Sequence, residues 1–270
     1  MDFTRDGHIH SHYCPHGTSD SFDQYVNNAI ECGLKEITFT EHLPLPAYIM
    51  DNKKFMDECS PDKETMYKYF EEAREVKERY KDKIKINVGC EVDYIEGYEE
   101  KITDMLNEFG EYIEDAILSV HFIKIGDDKY TDIDGEEGFC RAAITLGNTE
   151  KVYDKYYETL IKAVKSDLGT YKPKRIGHPN LIRIFNKLYK CDYKNEKLLT
   201  ELAEEIKKRD YEVDVNTAGI RKIYCGEIYV NGFFKELVKK MGIKEVFGSD
   251  AHKSGDIGKN FELYKEDQYE

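Results

Sequence analysis

Short apolar segments rich in β-branched residues alternate along the chain with longer amphipathic segments. This alternation constrains the fold most strongly, because strands that alternate with helices pair in parallel and are joined by crossover helices. The strand candidates lie around 3–8 and at 36–42, 85–95, 115–123, 175–178, 211–217 and 245–252. This number of short strands in a chain of 270 residues favours a closed barrel over an open sheet. The sequence therefore predicts an α/β barrel.

Amphipathic helical patterns fill the intervals between the strand candidates. In the first interval, Ser21 is placed as an N-cap, apolar residues follow at helical spacing from Phe22, and Gly33 marks the end. The longer helical segments are at 62–81, 96–109, 150–166, 195–208 and 230–241. The glycine- and aspartate-rich stretch 126–138 predicts a loop that could act as a lid. Because the chain has no repeat and no linker, we expect a single domain over 1–270.

The composition argues against several kinds of partner. Charged residues make up 35% of the chain and hydrophobic residues 40%, which is typical of a soluble globular protein. The formal net charge of −14 argues against nucleic-acid binding, which needs a face rich in lysine and arginine. We expect neither a signal peptide nor a membrane span, since no apolar run is long enough. The seven scattered cysteines form no CxxC pair and indicate reduced thiols in a cytoplasmic protein.

The eight histidines are concentrated where the strand candidates end. Four of them stand in the N-terminal stretch DGHIHSHYCPHG, and the others follow later strands. In parallel barrels the carboxyl ends of all strands meet at one rim, where chemistry collects. The side chains that this rule brings together are His8, His10, His16, His42, His121, His178 and His252, with the carboxylates of Glu91 and Asp250.

A single histidine at a strand end is usually a hydrogen-bonded structural residue. The HxH pair of His8 and His10 is more informative, since residues i and i+2 of an extended segment point the same way. In order with His16 and the short motifs EH, GCE, SVH, GHPN and GSDAH, the pair becomes a specific pattern. Without a metal, these side chains would form a costly cluster of desolvated groups. The pattern therefore predicts a metal site.

This ordered set resembles the PHP family, named for polymerase and histidinol phosphatase domains, from His8 to His252. The resemblance implies a distorted (β/α)7 TIM-like barrel with three divalent metal ions, mostly zinc, manganese or iron. The implied ligands are His8, His10, Glu91 and Asp250 for one ion, Glu91, His121 and His178 for a second, and His16, His42 and His252 for a third. His12 is left without a ligand role, and a substrate contact and a surface position both stay open for it.

The implied metal set suits phosphoryl chemistry. Two ions about 3.5–4 Å apart can activate a water and hold a phosphate between them. A third ion stabilises the charge that develops on the leaving oxygen. Glu91 is the natural bridging carboxylate, and Asp250 or a metal-bound histidine could handle the proton of the leaving group. We take Glu91, Asp250 and His252 as the catalytic candidates.

Downstream segments resemble the histidinol-phosphate phosphatase branch of this family: GHPNLIRIF at 177–185, VNTAGIRK at 215–222 and EIYVNGFFKEL at 227–237. In that branch, segments after the fifth and sixth strands supply basic residues to the substrate. Arg183 and Arg221 are therefore the candidates for phosphate contacts. A surface ion pair is an equally open interpretation for Arg183. Val230 stands where the branch usually has a proline, which leaves the shape of that loop open.

The sequence thus favours a cytoplasmic metal-dependent phosphatase that hydrolyses L-histidinol phosphate in histidine biosynthesis. The expected partner is this small phosphomonoester, with no nucleic acid and no membrane, and the oligomeric state stays open. One alternative is another PHP phosphoesterase, acting on a nucleotide, a sugar phosphate or phosphotyrosine. A second alternative is a non-catalytic metal-binding protein, which is disfavoured because structural zinc sites are usually closed and rich in cysteine.

Overall fold

A seven-stranded parallel sheet organises the protein, whose computed structural model describes residues 2–264. The strands are β1 (Arg5–Ile9), β2 (Glu36–His42), β3 (Lys85–Asp93), β4 (Asp115–Ser119), β5 (Phe122–Gly126), β6 (Lys129–Asp132), β7 (Arg175–Ile176), β8 (Glu212–Asn216) and β9 (Lys244–Gly248). The sheet has the order β1-β2-β3-β4-β7-β8-β9, and β5 and β6 form a separate antiparallel hairpin. The predicted α/β barrel of seven parallel strands is confirmed.

The first and last strands of the sheet meet and nearly close the barrel. The backbone N–H of Asp250 donates to the carbonyl of His8 over 2.8 Å, and that of His10 donates to the carbonyl of Ala251 over 3.0 Å. These bonds lie just beyond β9 and at the end of β1, where Ile9 and Ala251 form a parallel bridge. The seam of the barrel therefore runs through residues that the sequence predicts as metal ligands.

Helices surround the barrel and bury one face each against the strands. They are α1 (Phe22–Glu31), α2 (Lys53–Cys59), α3 (Lys63–Tyr80), α4 (Glu99–Phe109), α5 (Glu136–Leu146), α6 (Thr149–Lys165), α7 (Glu196–Lys208), α8 (Ala218–Arg221) and α9 (Gly232–Met241). Ser21 caps α1 as predicted, in a capping box with Gln24, and Gly33 follows the helix with a positive φ of 79°. The longer predicted helices match α3, α4, α6, α7 and α9 within a few residues.

The region after β4 differs from the sequence prediction. The predicted strand 115–123 is interrupted after Ser119, and the predicted loop 126–138 instead contains the end of the β5–β6 hairpin and the start of α5. The hairpin turns at Asp127 and Asp128, where Asp128 has a φ of 49°. Aspartate tolerates this left-handed conformation, so the residues that look like a long loop make a tight turn. No predicted helix corresponds to α2, α5 or α8.

The amino-terminal end of the barrel is closed by a buried arginine. Arg175 is 1% exposed, and its Nη2 donates to the carbonyl of Gly7 over 2.8 Å and to Asp115 Oδ2 over 2.9 Å. The same carboxylate oxygen accepts from Arg5 Nη2 and Thr38 Oγ1, each at 2.9 Å. Four strands therefore share one polar network at this end, opposite the rim that carries the histidines.

Within residues 2–264, no helix is both long enough and apolar enough to cross a membrane. The single domain expected over 1–270 stays a prediction, and Met1 and 265–270 lie outside the described residues.

Candidate metal centre

The structure brings the nine predicted ligands together at the carboxyl end of the barrel. Each lies at or near the end of a strand of the sheet: His8, His10 and His16 on or after β1, His42 at the end of β2, Glu91 on β3, His121 after β4, His178 after β7, and Asp250 and His252 after β9. Five of the nine are buried, namely His8, His10, His42, Glu91 and His178. His121, Asp250 and His252 are half-buried, and His16 is exposed. Parallel strands aim these side chains at one volume.

Glu91 lies at the centre of the cluster, and its two carboxylate oxygens face different groups of histidines. Oε1 is 3.0 Å from His178 Nε2 and also accepts from Ser119 Oγ over 2.5 Å. Oε2 lies 3.4 Å from Nε2 of both His8 and His10. A carboxylate whose two oxygens face different groups of histidines is suited to bridge two cations.

Asp250 completes the group around His8 and His10. Its Oδ1 lies 3.4 Å from His10 Nε2 and 3.7 Å from His8 Nε2. The backbone of Asp250 has a φ of 53°, and that of His178 has a φ of 25°. Such positive values are uncommon outside glycine and cluster at functional sites. In Asp250, this backbone conformation accompanies the hydrogen bond that joins it to β1.

His16 and His252 form a second part of the cluster, with their Nε2 atoms 3.0 Å apart. His16 Nδ1 lies 3.0 Å from the carbonyl oxygen of Glu58, and His252 Nδ1 lies 3.2 Å from the carbonyl oxygen of Asp250. Carbonyls only accept, so each Nδ1 carries a proton. In the neutral rings both Nε2 lone pairs then face each other, an arrangement that a cation between them stabilises.

His42 adds a buried nitrogen with no hydrogen-bond partner among the described residues. Its Nδ1 lies 3.3 Å from Glu91 Oε2 without forming a hydrogen bond. The ring centroid of His42 is 4.4 Å from that of His10 and 5.3 Å from that of His16. Since a buried imidazole nitrogen is normally satisfied, this atom fits a metal ligand. These observations show that the donor set fits divalent metal binding.

Carboxylates behind the histidines hold three of the rings. His8 Nδ1 is 2.8 Å from Asp214 Oδ2, and His121 Nδ1 is 2.7 Å from Asp93 Oδ1. His10 Nδ1 lies at the longer distance of 3.4 Å from Glu41 Oε1. A carboxylate on Nδ1 fixes the tautomer that leaves Nε2 free and orients the ring toward a metal.

The electrostatic field favours positive charge at His8 and His121, whereas burial and the charge of His10 lower the pKa of His42 and of His252. Burial lowers the pKa of His8, but the charges of Glu91, Asp250 and Asp214 outweigh it and raise the pKa to about 10. Burial likewise lowers the pKa of His121, yet Asp93 and Glu91 raise it to about 10. Burial raises the pKa of Glu91, but the neighbouring histidines, His8 first, hold it well below its usual range. A field that favours protons so strongly also favours bound cations.

A cavity of about 610 Å³ opens above the cluster. Its floor carries histidines of the site. One wall carries Arg221, Lys222 and Lys253 from segments after β8 and β9, together with Asp256, which pairs with Arg221 and Lys253. The opposite wall is acidic, with Glu58, Asp132 and Asp134 from segments after β2 and β4. In the strand order of the sheet, β1 and β7 separate these two walls. The two walls of the cavity therefore differ in charge, and the proposed metal ligands lie between them on its floor.

Comparison with known proteins decides the family. The family model described as PHP domain matches residues 6–218. The chain belongs to the PHP family. It is 38% identical to the histidinol-phosphatase of Bacillus subtilis over 265 residues, covering 97% of this chain and 98% of that protein.

Two solved structures resemble this one. A protein from Listeria monocytogenes, assigned provisionally as a histidinol phosphatase, is 34% identical with a TM-score of 0.92 and covers 96% of this chain and 99% of its own. A histidinol phosphate phosphatase from Lactococcus lactis, solved with zinc, L-histidinol and phosphate, is 23% identical with a TM-score of 0.67. It covers 93% of this chain and 86% of its own, and this likeness shows the fold.

The two arginines predicted as phosphate contacts have different surroundings in this PHP fold. Arg221 lines the cavity, its Nη2 donates to the carbonyl of Ser249 over 2.6 Å, and its Nε lies 3.2 Å from Asp256 Oδ2. Its Nη1 has no hydrogen-bond partner among the described residues. Arg183 instead makes a two-point ion pair with Glu227, at 2.5 Å and 2.8 Å, and is not among the residues that line the cavity. The ion-pair interpretation fits Arg183.

His12, the third predicted substrate contact, lies away from the cavity lining. Its Nε2 is 3.4 Å from Glu72 Oε2, and its ring packs against Tyr13 and the edge of Phe22 at centroid distances of 4.4 Å and 5.3 Å. His12 therefore packs against Tyr13 and Phe22 in the segment between β1 and α1. The structure does not place it with the other histidines of the PHP site.

Sequence reasoning missed several residues that contact this site. The carboxylates of Asp214, Asp93 and Glu41 lie on strands and are buried. Polar residues inside strands of a fully covered parallel sheet are unusual, and this signal could have found them. Cys14 is also buried there, and its Sγ lies within 4.8 Å of ligand atoms from His10, His42 and His252. Burial raises the pKa of the Cys14 thiol, but hydrogen bonds with His10 and His16 outweigh it and lower the pKa.

Proposed function

We propose that this PHP protein hydrolyses L-histidinol phosphate to L-histidinol and phosphate. The two carboxylate oxygens of Glu91 face different groups of histidines at the floor of a cavity, and this observation supports metal-dependent hydrolysis of a phosphomonoester. The substrate is supported by 38% identity to the Bacillus subtilis histidinol-phosphatase along nearly the whole chain. Such a floor leaves room for a small phosphomonoester, whereas purely structural metal sites are closed.

Three divalent ions are part of this proposal. His8, His10, Glu91 and Asp250 would hold one, Glu91, His121 and His178 a second, and His16, His42 and His252 a third. Imidazole and carboxylate ligands suit zinc, manganese and iron alike, so the proposal covers all three metals. When bound, such ions polarise the phosphate and lower the pKa of an attacking water.

The chain's own residues bind the substrate and direct the leaving group. Arg221 lines the cavity, Ser249 and Asp256 hold its guanidinium in place, and its buried Nη1 has no hydrogen-bond partner among the described residues, which together support a contact with the phosphate. As water attacks phosphorus, the bond to the ester oxygen breaks and that oxygen takes up a proton. Asp250 and His252 both line the cavity and are the groups placed to pass on to that oxygen the proton that the attacking water loses. Glu91 orients the histidines of both neighbouring groups.

The remaining expectations belong to the same proposal. A single domain over 1–270 acts on a small molecule, and the net charge of −14 supports a partner other than nucleic acid. All seven cysteines are free, which supports a reducing, cytoplasmic location.

A phosphoester panel with defined metals tests the function. Purified protein loaded with zinc, manganese or iron(II) should hydrolyse L-histidinol phosphate in preference to nucleoside monophosphates, sugar phosphates and phosphotyrosine. Glu91→Gln should lose both bound metal and turnover, while Glu100→Gln, an exposed change on α4, should lose neither. Preference for another ester would assign a different PHP phosphoesterase. Bound metal without any turnover would support the non-catalytic alternative, and full metal content in Glu91→Gln would contradict the ligand set.

A further inference from the structure

Asp132 is a buried carboxylate without a cationic partner. It is 6% exposed at the end of β6, and no lysine, arginine or histidine within residues 2–264 forms an ion pair with it. Arg141 of α5, which attracts it electrostatically, donates its Nη1 to Thr131 Oγ1 over 3.1 Å instead. Burial, together with the charge of Asp134, raises the pKa of Asp132 to about 6. The negative charge of this side chain is thus poorly compensated by the protein.

The surrounding chain is shaped to hold this carboxylate. A Cβ on Gly135 or Gly138 would overlap its oxygens, so both glycines leave the space that the group occupies. Gly135 is the N-cap residue of α5. The carboxylate therefore lies against the first turn of α5, where the backbone N–H of Gly135 stabilises its charge. This helix-end contact explains the position and offsets part of the charge, but it supplies no cationic partner.

The position of Asp132 in the cavity above the proposed metal ligands explains why its carboxylate has no cationic partner. Asp132 and Asp134 line the cavity on the wall opposite Arg221 and Lys222. The backbone N–H of Ile133, between the two aspartates, donates to the carbonyl of His121 over 2.9 Å. The acidic wall is therefore fixed directly to a proposed metal ligand, within the same cavity as the phosphate site.

We propose that Asp132, assisted by Asp134, binds the ammonium group of the substrate. This inference rests on the proposed function, because in L-histidinol phosphate the carbon that bears the ammonium group is bonded to the ester CH₂. A phosphate on the floor and beside Arg221 then places a cation near the acidic wall. The same wall repels esters that carry further negative charge, which makes Asp132 a residue that selects amino-substituted phosphomonoesters.

A comparison of two substrates in two proteins tests this role. The substrates are L-histidinol phosphate and its analogue without the amino group, 3-(imidazol-4-yl)propyl phosphate. A charge-assisted hydrogen bond corresponds to about 10- to 100-fold in kcat/KM, so the wild-type protein should prefer the amine by about this factor. Asp132→Asn should remove most of the preference by slowing the amine substrate much more than the analogue. Asp127→Asn, an exposed change in the same hairpin, should keep the wild-type preference.

A second measurement needs no variant. L-Histidinol should inhibit the wild-type protein more strongly than the alcohol that lacks the amino group. Equal inhibition by the two alcohols, an unchanged preference in Asp132→Asn, or equal losses on both substrates would overturn the ammonium role while the phosphatase function stands. Equal decreases of kcat/KM on both substrates would show that Asp132 stabilises the first turn of α5 and does not contact the ammonium group. Absence of turnover with both substrates would overturn the proposed function and this inference with it.

Discussion

The Nε2 atoms of His16 and His252 lie 3.0 Å apart, although 236 positions separate the two residues in the chain. Each ring directs its protonated Nδ1 outward to a backbone carbonyl, from Glu58 and from Asp250. Two lone pairs therefore point at one another across a distance that suits shared metal coordination. The loop after β1 and the segment after β9 together form this part of the cluster, and neither could form it alone.

Removal of the carboxylate behind His8 should weaken metal binding without removing a ligand. Asp214→Asn keeps the size of the side chain but removes the negative charge 2.8 Å from His8 Nδ1 that fixes the tautomer of His8. Such partners typically contribute about 10- to 100-fold in metal affinity. Competition with a chromophoric chelator should show this loss, and Asp93→Asn should weaken the ion near His121 similarly. Unchanged affinity in both variants would contradict the orienting role.

Arg221 and Arg183 should respond differently to truncation. Arg221→Ala should reduce kcat/KM by about one to two decades for both L-histidinol phosphate and p-nitrophenyl phosphate, because the two esters share the phosphoryl group. Metal content should stay intact. Arg183→Ala should instead lower the unfolding temperature, because it leaves the half-buried Glu227 without its ion-pair partner. If only the natural substrate were affected in Arg221→Ala, Arg221 would contact another part of the substrate.

The sequence could predict the cluster because its signal follows the chain order of the strands. Glu91 and the HxH pair stand at strand ends, and strand ends converge in any parallel barrel. The environment of Asp132 could not be predicted in this way. Gly126, Gly135 and Gly138 look like loop residues, yet in the fold the latter two provide room for a carboxylate. The partner of Arg183 was equally inaccessible, since Glu227 lies 44 residues further along the chain.

The preference for an amino-substituted substrate should depend on pH. The pKa of Asp132 is raised to about 6, so its carboxylate becomes protonated, and loses its attraction for an ammonium group, as the pH falls through this value. The charged groups that face it are Asp134 on the same loop and Arg141 on α5, and the thiol of Cys59 on α2, whose pKa is raised by burial, is neutral. The ratio of kcat/KM for L-histidinol phosphate to that for the analogue without the amino group should therefore decrease from pH 7.5 to pH 5. The ratio cancels the ionisation of the phosphate, and a flat ratio would exclude the titration of Asp132.

Arg175 should contribute strongly to stability and little to catalysis. Arg175→Met removes one partner of the buried pair with Asp115, which typically costs 3–5 kcal/mol, and we expect about 3 kcal/mol because Arg5 still contacts the same oxygen. The matched change Arg5→Met, at a side chain that is 25% exposed, should cost less. Denaturant unfolding of the metal-loaded proteins measures both. Equal losses would show that burial of Arg175 is not the deciding factor.

The seam of the barrel also determines when the site can come into existence during synthesis. His8 and His10 leave the ribosome early, but Asp250 and His252 follow only near the end of translation, and the seam bonds join these two stretches of backbone. Until then the nascent chain lacks Asp250 and His252 and has only part of the proposed ligand set. Selective metal uptake becomes a late event, coupled to the closing of the last strand against the first.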